Sequence, residues 1–141
     1  MPSFTTQLPN LQAMGPLVEL RVWVADPAEE ALKKAGLPVP DPVAIRGMID
    51  TGATSSVIHP DIAQQLGLQP IGTAQISTPS AENIPCLQYA VRFLLPNNLI
   101  FEAPAIAVPL KGQIQCLLGR DVLANAVFVY TGYINQFTLS F

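Results

Sequence analysis

The sequence predicts an all-β domain, on three observations. Fourteen prolines in 141 residues are about twice the usual share, and they fall throughout the chain, so long helices are excluded almost everywhere. Several runs alternate apolar and polar residues with the period of two that marks a half-buried strand. The segments that do read as helical are short and bounded by proline and glycine.

Residues 1–16, MPSFTTQLPNLQAMGP, are polar and proline-dotted and read as an extended N-terminal arm; 17–141 read as one domain. LVELRVWV (17–24) sets Val18, Leu20, Val22 and Val24 against Glu19 and Arg21, which predicts a strand. DPAEEALKKAG (26–36) predicts a short helix. Asp26 is a candidate N-cap, Pro27 sits at the first helical position, acids come early, lysines come late, and Gly36 ends it. With the loop LPVPDP, residues 25–42 form an excursion between two strands. VAIRGMI (43–49) is the next strand and runs straight into Asp50. A second short helix starts at Pro60 and stops at Gly67, with Ile62, Ala63 and Leu66 turned inward. His59 precedes it and reads as part of its cap rather than as a catalytic base. Strands follow at 71–77, 84–95 and 99–108, the last two joined by a turn at Asn97-Asn98. IQCLL (114–118) reads as a buried strand, RDVLAN (120–125) as one helical turn, and 126–141 as a closing hairpin about Thr131-Gly132.

Composition narrows the function. Half of the residues are apolar and 12% are charged, a balance that points to a sizeable interface on a small protein. Net charge is −3, and without a cluster of Lys and Arg it argues against nucleic acid. One histidine and two separated cysteines are too few for a zinc site, so neither a metal nor a cofactor is expected. Cys86 and Cys116 sit in apolar runs and read as buried free thiols. No apolar run reaches the length of a membrane span, and the start lacks the pattern of a signal peptide, so a cytoplasmic location is expected.

The chemistry concentrates in RGMIDTGATSSVIHP (46–60). A carboxylate behind Met48 and Ile49, followed by a hydroxyl and a glycine, allows two readings. Asp50 can simply close an Asx-type turn at a strand end. Alternatively, a partly desolvated carboxylate beside a second one shares a proton with it, and such a pair can activate water and protonate a carbonyl.

Taken together, MIDTGATSSVI, then IAQQLGL, and CLLGRDVL about 65 residues later resemble the retropepsin-like aspartic proteases over residues 43–141. The resemblance implies a small closed β-barrel with one or two short helices, active as a homodimer. In that family the segments matching Ile49–Ala53 and Leu117–Asp121 cross to form the active-site loop and its support. It therefore implies that Asp50 is catalytic, supported by Thr51, Gly52, Ala53, Leu118, Gly119 and Arg120. It further implies a flap over 74–86, with Ser77, Thr78, Pro79, Ser80 and Ala81 at its tip. The C-terminal strand Phe137, Thr138, Leu139, Ser140 and Phe141 would interleave with its counterpart in a partner subunit. The motif occurs once, so the second carboxylate has to come from a symmetry mate. The implied function is hydrolysis of an extended peptide by water held between two Asp50 side chains. The alternative is a catalytically weak peptide-binding or assembly module of the same fold. The chain departs from the viral pattern in two places: Thr54 and Ser55 stand where an acidic partner for Arg120 is common, and the flap tip lacks glycine.

Overall fold

The alternating runs pair into two sheets in the computed structural model, which describes residues 2–78 and 81–141. In chain order the strands are β1 (Ser3–Gln7), β2 (Leu17–Val24), β3 (Val43–Ile49), β4 (Val57–Ile58), β5 (Gly72–Thr78) and β6 (Ala81–Leu95). They continue as β7 (Leu99–Ala107), β8 (Cys116–Leu118), β9 (Val127–Thr131) and β10 (Gln136–Ser140). The helices are α1 (Leu11–Met14), α2 (Asp26–Lys34), α3 (Pro60–Gln65) and α4 (Arg120–Leu123).

The larger sheet runs β2-β3-β8-β4-β7-β6-β5, and β2 also pairs with β6. That extra pairing, from Arg21 opposite Leu94 to Val24 opposite Val91, closes the sheet into a barrel and leaves β5 outside the ring. Closure removes the edges an open sheet would expose. Inside lie Val18, Leu20, Val22 and Val24 of β2, Ile45 and Ile49 of β3, and Val91 and Phe93 of β6, all buried. Period-two alternation puts these residues on one face, and their burial is the main force that holds the barrel. β3 and β8 approach closely at Gly47: a Cβ there would stand 2.8 Å from Leu20 Cδ2 and 3.3 Å from the Cys116 carbonyl oxygen.

The smaller sheet is β1-β10-β9. Here the structure adds to two expectations. The N-terminal arm is extended over Ser3–Gln7, which pairs with β10 in register from Ser3 opposite Ser140 to Gln7 opposite Gln136, and Leu11 of α1 is wholly buried. The C-terminal strand, in turn, has β1 on one edge and β9 on the other. Both edges of β10 are thus occupied within the chain. Phe137 and Leu139 are core residues, fully buried. Thr138 Oγ1 bonds Thr5 Oγ1 at 2.8 Å, and Phe141 packs on Phe101 with ring centroids 4.1 Å apart.

The excursion at 25–42 is fastened to the barrel. Asp26 is the first residue of α2, and Ala25 takes the N-cap position without a side-chain bond. The cap comes instead from the barrel wall, where Glu102 Oε1 accepts from the Asp26 backbone N–H at 2.6 Å. Arg92 of β6 donates to Glu29 Oε2 at 2.7 Å and to the Val24 carbonyl at 3.1 Å. Its guanidinium also lies 4.5 Å from the centroid of the Trp23 ring. Trp23 Nε1 donates to the Pro40 carbonyl at 2.6 Å and so ties down the far end of the excursion. At α3, His59 occupies the N-cap, its Nδ1 accepting from the Asp61 backbone N–H at 3.1 Å. The turn at Asn97-Asn98 is made by two residues in the left-handed region, with φ of 59° and 58°, which asparagine tolerates better than most residues.

Candidate active site

The parallel pair β3–β8 sets Met48 opposite Leu117 and Ile49 opposite Leu118. Parallel strands end side by side, so the loops that follow, 50–56 and 119–120, emerge next to each other and cross. The Asp50 N–H donates to the Leu118 carbonyl at 2.9 Å, and the Arg120 N–H donates to the Ala53 carbonyl at 2.8 Å. Gly119 sits at the crossing. A Cβ on it would stand 2.7 Å from the Ser55 carbonyl carbon, 2.8 Å from the Ser55 oxygen and 3.0 Å from the Ala53 oxygen. These are backbone atoms that cannot swing aside, so no other residue fits there without moving a loop.

Asp50 is half-buried at the mouth of this crossing, while Thr51 and Gly52 are exposed. Its Oδ1 accepts from the Gly52 N–H at 2.9 Å, and the Ala53 N–H donates to its carbonyl at 3.2 Å. The carboxylate is therefore fixed in rotation by its own loop. This is the Asx-type turn of the first reading, and it also fixes the direction in which the carboxylate points. A Cβ at Gly52 would lie 3.1 Å from Asp50 Oδ1, close enough to disturb the carboxylate directly.

Arg120 finds partners despite the missing acid. Nη1 donates to the Thr51 carbonyl at 2.7 Å and Nη2 to Thr54 Oγ1 at 3.2 Å. One guanidinium thus braces two points of the loop that carries Asp50. A second brace escaped the sequence reading. Ser56, fully buried, donates its hydroxyl to Asp121 Oδ1 at 2.7 Å and accepts from the Gly119 N–H at 3.0 Å. The Ser56 N–H donates to Asp121 Oδ2 at 3.0 Å, and the Val122 N–H to Oδ1 at 2.8 Å. Every side-chain oxygen of the Ser56–Asp121 pair is thereby matched, which is what a buried polar pair requires. The available signal was an Asp directly after Gly119-Arg120 and a serine pair after Thr54. Burial, followed by the nearby Asp121 charge, pushes the Cys116 thiol well above its ordinary range, so it is an inert core residue beneath the site.

A cleft of about 640 Å³ opens beside the loop. Gly52 to Ser55 form one wall and Ala74 to Ser77 of β5 the other, with Val57, Ile106, Val108, Leu110 and Leu117 between them. Its lining is largely aliphatic and without a charged side chain. The β5–β6 hairpin stands over it, paired from Gly72 opposite Gln88 to Thr78 opposite Ala81, with a register shift between Ile76 and Thr78. Of the expected flap tip, Ser77 is exposed, Thr78 and Ala81 are paired strand residues, and Pro79 and Ser80 lie outside the described residues. Among the described residues, no group of three or more His, Cys, Asp or Glu is placed to hold a metal ion, and no helix is long and apolar enough to cross a membrane.

A family model described as aspartyl protease matches residues 28–122, which take in most of α2, both crossing loops and the whole cleft wall. No curated protein matches the chain. Among solved structures, the chain is similar to the crystal structure of a retropepsin-like aspartic protease from Rickettsia conorii. The TM-score is 0.52 at 14% identity, covering 99% of this chain and 94% of that one. A likeness this complete at so low an identity is one of fold: a small closed β-barrel with few helices.

Proposed function

The chain belongs to the aspartyl protease family, and from that premise we propose that it is an endopeptidase whose site is built from two copies of Asp50. The observation that carries this is the position of Asp50. It stands at a loop crossing braced by Arg120 and by Ser56–Asp121, with Oδ1 held by Gly52 and an uncharged cleft alongside. One chain contributes one Asp-Thr-Gly segment, so a two-fold axis supplies the second acid. A water between the two carboxylates gives its proton to the ionised one and attacks the scissile carbonyl. The protonated carboxyl hydrogen-bonds that carbonyl and gives it its proton as the tetrahedral diol forms. The proton taken from water then passes to the leaving amine as the carbon–nitrogen bond breaks.

The substrate on this reading is an extended peptide lying between the 52–55 loop and β5, its backbone paired with the hairpin and its apolar side chains in the cleft. The alternative, a binding module without useful turnover, keeps the cleft and gives up the chemistry. Asp50→Asn separates the two. It is nearly isosteric, so fold and peptide affinity should survive, while cleavage of a peptide library at mildly acidic pH should fall at least 1,000-fold, on the order expected for loss of an essential acid–base group. Cleavage that persists in the variant would overturn the assignment of Asp50. Peptide binding without cleavage by the wild-type chain would favour the binding module.

A further inference from the structure

We propose that the free edge of β9, rather than the C-terminal strand, is the seam at which two copies of this chain join. This rests on the paired-Asp50 reading, and locates where the second copy must sit.

Among the described residues, β9 pairs with β10 on one side and with no strand on the other. An unpaired edge is ordinarily protected by lysine, proline or a bulge. Residues 126–134, AVFVYTGYI, hold neither charge nor proline. Exposure is also concentrated here. Val127 is 54% exposed, Val129 48%, Tyr130 48%, Tyr133 90% and Ile134 41%, half of the large exposed apolar residues found among the described residues. The other outer strand of this sheet, β1, differs. Asn97 Nδ2 donates to the Ser3 carbonyl at 2.7 Å, which covers part of its outer edge, and β1 offers Ser3, Thr5 and Gln7 to solvent. The outer face of the sheet is thus polar on β1 and apolar on β9.

An occupant must bring an uncharged apolar strand whose own edge is unpaired. A second β9 meets every part of that description. Antiparallel pairing about a two-fold axis through Val129 sets Val127 opposite Thr131 and Phe128 opposite Tyr130 of the second copy, and joins two three-stranded sheets into one of six. The connection to the site is short. From Gly119 at the crossing, one turn of α4 and a few extended residues lead to Val127, a path of at most about 20 Å. Each Asp50 crossing is therefore tied to the seam by a short segment of its own chain.

The test uses the full chain. In a Cys86→Ser background, Val129→Cys should form a disulfide-linked dimer under mild oxidation, because residues facing themselves across an antiparallel two-fold have Cα atoms about 4.5–5.5 Å apart. The pair Val127→Lys and Val129→Lys, both on exposed positions, should keep the circular dichroism of the parent, sediment as a monomer and lose cleavage at least 100-fold. A dimer that survives both lysines, or Val129→Cys chains that do not cross-link, would overturn the seam. Val129→Cys chains that cross-link, together with a wild-type dimer that cleaves no peptide, would uphold the seam and sink the proteolytic reading.

Discussion

Gly119 and Ser56 show how much of the site depends on single atoms being absent or present. Gly119→Ala puts a methyl group 2.7–3.0 Å from three backbone atoms of 53–55. It should destabilise the chain by about 1–3 kcal/mol, the usual cost of overpacking a tight contact, read as a lower denaturation midpoint. Ser56→Ala removes the acceptor of the Gly119 N–H and one donor to Asp121. It should also cost about 1–3 kcal/mol, since a buried group is left unmatched. Both variants should lose activity beyond what their stability explains, because the loop they brace orients Asp50. Asp50 itself was legible in the sequence, since its neighbours are its nearest partners: Gly52 supplies the N–H that holds it. The Ser56–Asp121 pair was not. Those residues are 65 positions apart, and no local pattern tells which of the two serines at 55 and 56 turns inward.

The same distinction runs through the elements. β2 and β3 were readable residue for residue because alternation is a property of the strand itself. β1 and β4 were missed because their reasons lie elsewhere: β1 is a strand because β10 is beside it, and the two residues of β4 are held between Leu117 and Ile106. α2 was found from its caps, but the group that satisfies its first N–H is Glu102 of β7, out of reach of any local rule. The fastening of α2 carries a pH dependence. Arg92, then Lys33, holds the Glu29 carboxyl below its ordinary value of 4.5. A group with a lowered folded value stabilises fully above the unfolded value and loses that contribution as pH falls through the folded one. Melting temperature should therefore decline on acidification below about pH 4.5, in part through Glu29. Glu29→Gln should melt lower than wild type at pH 7 and show a shallower decline towards pH 3. Parallel curves for the two proteins would mean that the clasp contributes nothing to folding.

At the scale of the whole molecule, if two copies share one site as proposed, the activity of a mixture follows the square of the fraction of chains that carry the acid. With subunit exchange verified, an equal mixture of wild-type and Asp50→Asn chains should keep about one quarter of the activity of wild type at the same total concentration, because both copies must carry the acid. A self-sufficient site would keep about one half. The ladder between β1 and β10 joins residue 3 to residue 140. Contacts of such separation are the slowest to form, since nearly the whole chain must be closed into a loop before they repay its entropy. On the ribosome, Phe4 has no β10 to lie against until Leu139 has left the exit tunnel. The sheet that carries β9 is thus the last part of the domain to be completed. If two copies join at β9 as proposed, a growing chain has no finished seam, and so no second Asp50, before β10 has emerged and paired with β1 and β9.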